Sequence, residues 1–121
     1  MKVLSIDDSK SVHAFLDMCL PKPDFEITHL YSGEEAIAYL EKDEVSNFDL
    51  ILLDWEMPGV TGPEVLEKFR SSGVSIPILM LTSKNKPEEM AMVFDKGADE
   101  YILKPFTPEI VKEKIASVVG N

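Results

Sequence analysis

The chain has 121 residues, 45% of them hydrophobic, with 22 acids against 12 bases and a formal net charge of −10. That length makes a single domain, residues 1–121, with one core and no output domain in view. The acid excess argues against a nucleic-acid or anionic-membrane binder, whose affinity comes from Lys and Arg neutralising phosphates. A cation or a basic protein patch is the better-matched partner. One cysteine excludes an internal disulfide framework. The apolar run after Met1-Lys2 is too short for a signal peptide and no window could span a membrane, so the expected location is cytoplasmic.

In chain order, Val3–Ile6 is a short apolar run predicted as a buried strand, and Asp7-Asp8 follow it. Val12, Phe15, Leu16 and Cys19 then recur at helical spacing. This places Cys19 in the core and leaves His13 on the helix surface. Phe25–Leu30 is a second, mixed strand that contains His29. Ser32 and Glu35 are spaced as a capping box before a stripe of Ala36, Ile37 and Leu40. Leu50–Leu53 is a third strand, continuously apolar, ended by Asp54 and a Pro58-Gly59 turn signal, with Trp55 expected to be a partly exposed aromatic. Thr61 and Glu64 form another capping-box pair, and Pro63 suits the first turn of a helix carrying Val65, Leu66 and Phe69.

Ile78–Leu81 is the fourth strand, followed by Thr82. Pro87 opens a helix whose stripe reads Met90, Ala91 and Phe94, stopped at Gly97. Tyr101–Leu103 is the fifth strand, followed by Lys104, and Pro108 opens a last helix with Val111, Ile115 and Val118. Five near-continuous apolar strands alternating with five helices predict a parallel sheet covered on both faces, a doubly wound α/β sandwich.

Asp7, Asp8, Asp54, Thr82 and Lys104 all fall at the carboxyl ends of predicted parallel strands, the edge where open α/β sheets bind ligands. Clustered carboxylates repel one another, so such a site raises a pKa or recruits a cation. An all-oxygen site with few protein ligands suits Mg²⁺, with Mn²⁺ as a substitute. A carboxylate nucleophile, a divalent cation, a lysine and a hydroxyl donor together describe phosphoryl transfer. The bland readings are that Asp7 and Asp8 cap the first helix, that Thr82 is a β-favouring residue and that Lys104 is a solvated surface lysine. Ser9, available as a cap, weakens the first of these.

The chain resembles the receiver domains of two-component response regulators, especially the single-domain chemotaxis type, and the resemblance covers its whole length. The matching pieces are "DD" at Asp7-Asp8, "LLDWEMPG" around Asp54 with Gly62 beyond it, "LTS" with Thr82, and "KGADEYILKPF" with Lys104-Pro105. The resemblance implies a (βα)5 flavodoxin-like three-layer sandwich. It implies Asp54 as phosphoacceptor from a histidine kinase or a small phosphodonor. Asp8 would ligate Mg²⁺, with Asp7 acting through water and the Glu56 backbone carbonyl adding a further ligand. Lys104 would pair with the phosphoryl group across a cis Lys104–Pro105 bond. Thr82 would swing toward the phosphoryl oxygen and Tyr101 would move inward behind it, altering a partner surface that includes Met90 and Tyr101. Met90 also reads as simple packing.

Glu56 and Lys84 occupy positions that tune dephosphorylation in such domains, and an ion pair between them is expected over the site mouth. The partners implied are a histidine kinase and a downstream motor, kinase or phosphotransfer protein, with the chain itself a monomer or a weak phosphorylation-dependent dimer. Two other readings compete: a Mg²⁺-dependent phosphatase with Asp54 as nucleophile, and a flavodoxin-like cofactor binder. The phosphatase lacks its second Asp and its Thr in Asp54–Pro58, and the cofactor binder lacks a Ser/Thr-rich phosphate loop where "DDSK" stands.

Overall fold

The computed structural model describes residues 1–119. Five parallel strands, β1 (Lys2–Ile6), β2 (Glu26–Leu30), β3 (Leu50–Asp54), β4 (Ile78–Thr82) and β5 (Glu100–Leu103), form one sheet in the order β2-β1-β3-β4-β5. The helices are α1 (Lys10–Cys19), α2 (Gly33–Glu41), α3 (Gly62–Ser71), α4 (Pro87–Asp95) and α5 (Pro108–Val118), and a 3₁₀ turn at Val45–Asn47 leads into β3. This is the predicted doubly wound sandwich. The strand order reverses between β1 and β3, so the crevice of the carboxyl edge lies between those two strands.

Strand residues alternate between two cores, as the pleat requires. Leu4, Ile6, Ile51, Leu53, Ile78, Met80 and Tyr101 pack with residues of α2, α3 and α4. Val3, Leu50, Leu52, Leu79, Leu81 and Ile102 pack on the other face with Leu16, Cys19, Val111 and Ile115 of α1 and α5. Both faces are covered, which explains why β3 and β4 read as unbroken apolar runs.

Local signals end the helices where expected. Ser32 Oγ accepts from the Glu35 backbone N–H at 3.1 Å, while Glu35 reaches back to the N–H of Tyr31 rather than of Ser32. Glu64 closes on the Thr61 N–H at 2.9 Å, and these bonds to Thr61 hold its carboxyl below the usual range. Gly97 takes φ +111° just past α4, a backbone state that a side chain disfavours.

The stripe on α4 differs from the predicted one. Val93 is the residue fully buried there and Met90 packs partly against the same core, whereas Ala91 and Phe94 face outward. The helix is rotated by about one residue from the predicted stripe, because Met90, Met92, Val93 and Phe94 leave too little contrast to fix its phase.

Candidate functional site

Strand register brings the site together before any side chain is considered. Ile6 stands opposite Leu53, so the next residues, Asp7 and Asp54, leave the sheet side by side. On the other flank Asp54 is opposite Leu81 and Thr82 is opposite Leu103, so Thr82 and Lys104 reach the same rim. Continuing the pleat, Asp7, Asp54 and Lys104 share the parity of the α1/α5 face, and Thr82 and Tyr101 share that of the α4 face.

Lys104 Nζ bridges the acids, 2.9 Å from Asp54 Oδ1 and 3.2 Å from Asp7 Oδ2. Asp7 and Asp54 are buried and Asp8 is exposed, yet all three offer carboxylate oxygens within 4.8 Å of one another. The Asp54 carboxyl is pushed up to about 6, chiefly by burial and further by the charges of Asp7 and Asp8, against the opposing hydrogen bond and charge of Lys104. Burial works against the Lys104 ammonium too, but its hydrogen bond to Asp54 and the charge of Asp7 outweigh this and raise its pKa. A lone lysine therefore leaves three crowded carboxylates under-compensated. An all-oxygen donor set with one exposed member suits a hard divalent cation.

The helix-cap and surface-lysine readings give way, whereas Thr82 does close β4 as a β-favouring residue would. Ser9 is the cap of α1, its Oγ accepting from the Val12 N–H, and this leaves Asp7 and Asp8 for the rim. Lys104 is three-quarters covered and doubly paired, and its bond to Pro105 is cis. Thr82 is fully buried and its Oγ1 accepts from the Lys84 N–H at 3.0 Å. The loop after Asp54 is held close by Gly62, where a Cβ would sit 2.1 Å from the Asp54 carbonyl oxygen. The Gly62 N–H donates instead to the carbonyl of Trp55 at 2.9 Å.

Four expectations need correction. Glu56 and Lys84 do not form the expected ion pair: Lys84 Nζ lies 3.6 Å from Glu89 and 5.6 Å from the centre of the Trp55 ring, and Glu56 accepts from Ser83 at 3.4 Å. The first turn of α4 presents Glu89, only five residues on, to Lys84, and the pairing depends on how the loop before Pro87 enters that helix. Trp55 is 8% exposed rather than partly exposed, because that ammonium and the core at Met57 enclose it. Tyr101 is already inward, its ring buried and its hydroxyl donating to the Lys84 carbonyl at 2.7 Å. Burial raises its pKa, the charges of Glu89 and Glu56 add to the rise and the neighbouring Thr82 hydroxyl opposes it. His13, expected on the helix surface, is 3% exposed and bonded to the site loop.

Of the remaining residues, Cys19 is buried in the core as expected, and its thiol pKa is raised by that burial. His29 lies in β2 against Asp17. Met90 packs against the α4-side core, in accord with the packing reading. A cavity of about 500 Å³ opens beside Lys104 between Val12, Phe15, Pro105 and Phe106. No helix among the described residues is long and apolar enough to cross a membrane.

Comparison with known proteins agrees with this geometry. Residues 3–116 match the response regulator receiver domain. The chain is 37% identical over 118 residues to the transcriptional regulatory protein ResD of Bacillus subtilis, covering 98% of this chain and 48% of that protein. It is 32% identical over 124 residues to the chemotaxis protein CheY1 of Helicobacter pylori, covering 100% of this chain and 98% of that one. The chain thus spans about half the length of the transcriptional regulators and nearly all of the chemotaxis protein. The solved structure of the Vibrio cholerae chemotaxis protein CheY4 superposes with a TM-score of 0.83 at 34% identity, covering 97% of each chain. Sequence, fold and site geometry converge, and the chain belongs to the response regulator receiver domain family.

Proposed function

We propose that this chain accepts a phosphoryl group on Asp54, from a histidine kinase or a small phosphodonor, and that the modified chain binds a downstream protein differently. Receiver domains are signalling switches rather than classical enzymes, working with histidine kinases and downstream targets. The observation that carries the reading is the bridging of Asp54 and Asp7 by Lys104 at the sheet switch point, with Asp8 completing an oxygen cluster.

Asp7, Asp8, an oxygen of Asp54 and the Glu56 backbone carbonyl are the groups that would hold Mg²⁺ or Mn²⁺. The ion, when bound, supplies charge neutralisation for the phosphoryl oxygens. Asp54 presents a carboxylate oxygen to phosphorus; the new P–O bond forms as the bond to the donor's leaving group breaks, and that group departs with the electron pair. Lys104 then pairs with a phosphoryl oxygen in place of the carboxylate oxygen it now holds. Thr82, on the opposite parity, gives up the Lys84 N–H to donate its hydroxyl to another phosphoryl oxygen. That exchange releases the Lys84 segment to which the Tyr101 hydroxyl is tied, coupling the site to the face of α4 and β5. Glu56 and Lys84 flank the mouth, and a role in tuning the lifetime of the adduct rests on those positions rather than on an ion pair.

Incubation with Mg²⁺ and acetyl phosphate tests this. Intact-mass spectrometry should show one labile phosphoryl adduct in the wild type and none in Asp54→Asn. Steady turnover of many phosphate esters, with no accumulating adduct, supports the phosphatase instead.

A further inference from the structure

We infer that His13 is a positioning residue for the acid pair Asp7-Asp8, holding the peptide between them so that both carboxylates meet a divalent cation. The inference rests on the reading of those aspartates as cation ligands.

Asp7 is where the chain leaves the sheet. Its N–H still donates to Leu30 at 3.1 Å, continuing the ladder of β1 with β2, but its carbonyl lies beyond the last paired residue of β1 with β3. A buried carbonyl needs a donor, and His13 Nε2 supplies it at 2.7 Å. A carbonyl only accepts, so Nε2 carries the proton. A ring protonated at that nitrogen alone leaves Nδ1 as acceptor for the Ser5 hydroxyl, 3.2 Å away. Ser5 is 1% exposed and has the strand parity that faces α1. The Asp7 carbonyl selects the tautomer, and the Ser5 hydroxyl, able to donate or accept, rotates to suit it.

Helix geometry explains why the ring reaches that carbonyl. His13 stands one turn into α1, and helical side chains lean toward the N-terminus, back over the loop that carries Asp7 and Asp8. His29 and Tyr31 pack edge-on against the ring, with centroids 4.3 and 4.6 Å away, and fix its plane. The peptide linking Asp7 to Asp8 is planar, so anchoring the Asp7 carbonyl also sets the direction in which the chain presents Asp8. The Asp7 carboxylate is fixed separately, by the Ser9 N–H at 2.9 Å and by Lys104. Asp8 is exposed, so the peptide plane set by His13 is its main constraint.

The test is titration of MgCl₂ into wild type, His13→Phe and His13→Gln, following emission of Trp55, the chain's one tryptophan, which adjoins Asp54. Wild type should show a saturable change. His13→Phe keeps an aromatic ring but no donor, and its Kd should weaken roughly tenfold, the lower end of the effect of removing groups that orient metal ligands. His13→Gln keeps an amide donor and should recover part of that loss. A folded His13→Phe with the wild-type Kd overturns the inference. Absence of Mg²⁺ binding in the wild type, by fluorescence and by calorimetry, overturns the cation-site reading beneath it. Nitrogen-15 NMR of the wild-type imidazole decides the matter if the variants fail to fold. The inference requires an Nε2-protonated ring whose proton resonance moves with Mg²⁺ saturation, and an Nδ1-protonated ring overturns it.

Discussion

Asp54 carries a carboxylate in a place better suited to a neutral group. Its folded pKa of about 6 stands above its ordinary value of 3.8, so between those values the folded state binds a proton that the unfolded chain does not. Stability from this group is full below about pH 4 and is lost as pH rises through 6. In metal-free protein, Asp54→Asn should therefore be more stable than wild type at pH 7, by about 1–2 kcal/mol after allowance for the ion pair lost with Lys104. The gain should vanish toward pH 4. Urea unfolding in EDTA at pH 4, 6 and 7.5 checks this, and a gain independent of pH would show that burial of the charge is not its origin.

At the scale of elements, α4 offers the sharpest check. Val93 is fully buried and Phe94 is 40% exposed. Val93→Ala should cost about 2 kcal/mol in urea unfolding, while Phe94→Ala should cost under about 0.5 kcal/mol. The stripe read from the sequence predicts the reverse order. Elements with strong contrast were legible: β3 and β4 as bare apolar runs, α3 through its capping pair and the triplet Val65, Leu66 and Phe69, all buried. The rim was legible too, because a residue directly after a parallel strand has only one edge to occupy. Pairing across that rim was not. Glu89 meets Lys84 only because of how α4 is turned, and His13 meets Asp7 only because a buried carbonyl lacked a donor. Neither contact leaves a mark in local periodicity or spacing.

For the whole molecule, the net charge of −10 makes every cation mildly stabilising through screening, and this must be separated from binding at a site. A ligand that binds only the folded chain stabilises it by RT ln(1 + [L]/Kd), about 1.4 kcal/mol at tenfold excess over Kd, or roughly 4–6 °C in Tm. Mg²⁺ should produce that rise in wild type and little of it in Asp8→Ala. NaCl at matched ionic strength should give the smaller screening effect in both. Equal rises from the two salts would assign the stabilisation to net charge and leave the carboxylate cluster without a bound ion.

The pleat that sends Asp54 and Lys104 to one face and Thr82 and Tyr101 to the other makes the sheet a partition. Strand backbone lies between the core packed by α1 and α5 and the core packed by α2, α3 and α4. Substitutions in one layer can then accumulate with little effect on the other, provided the few rim residues are kept. A lineage of such chains is free to remodel the surface offered to a target while its chemistry stands still.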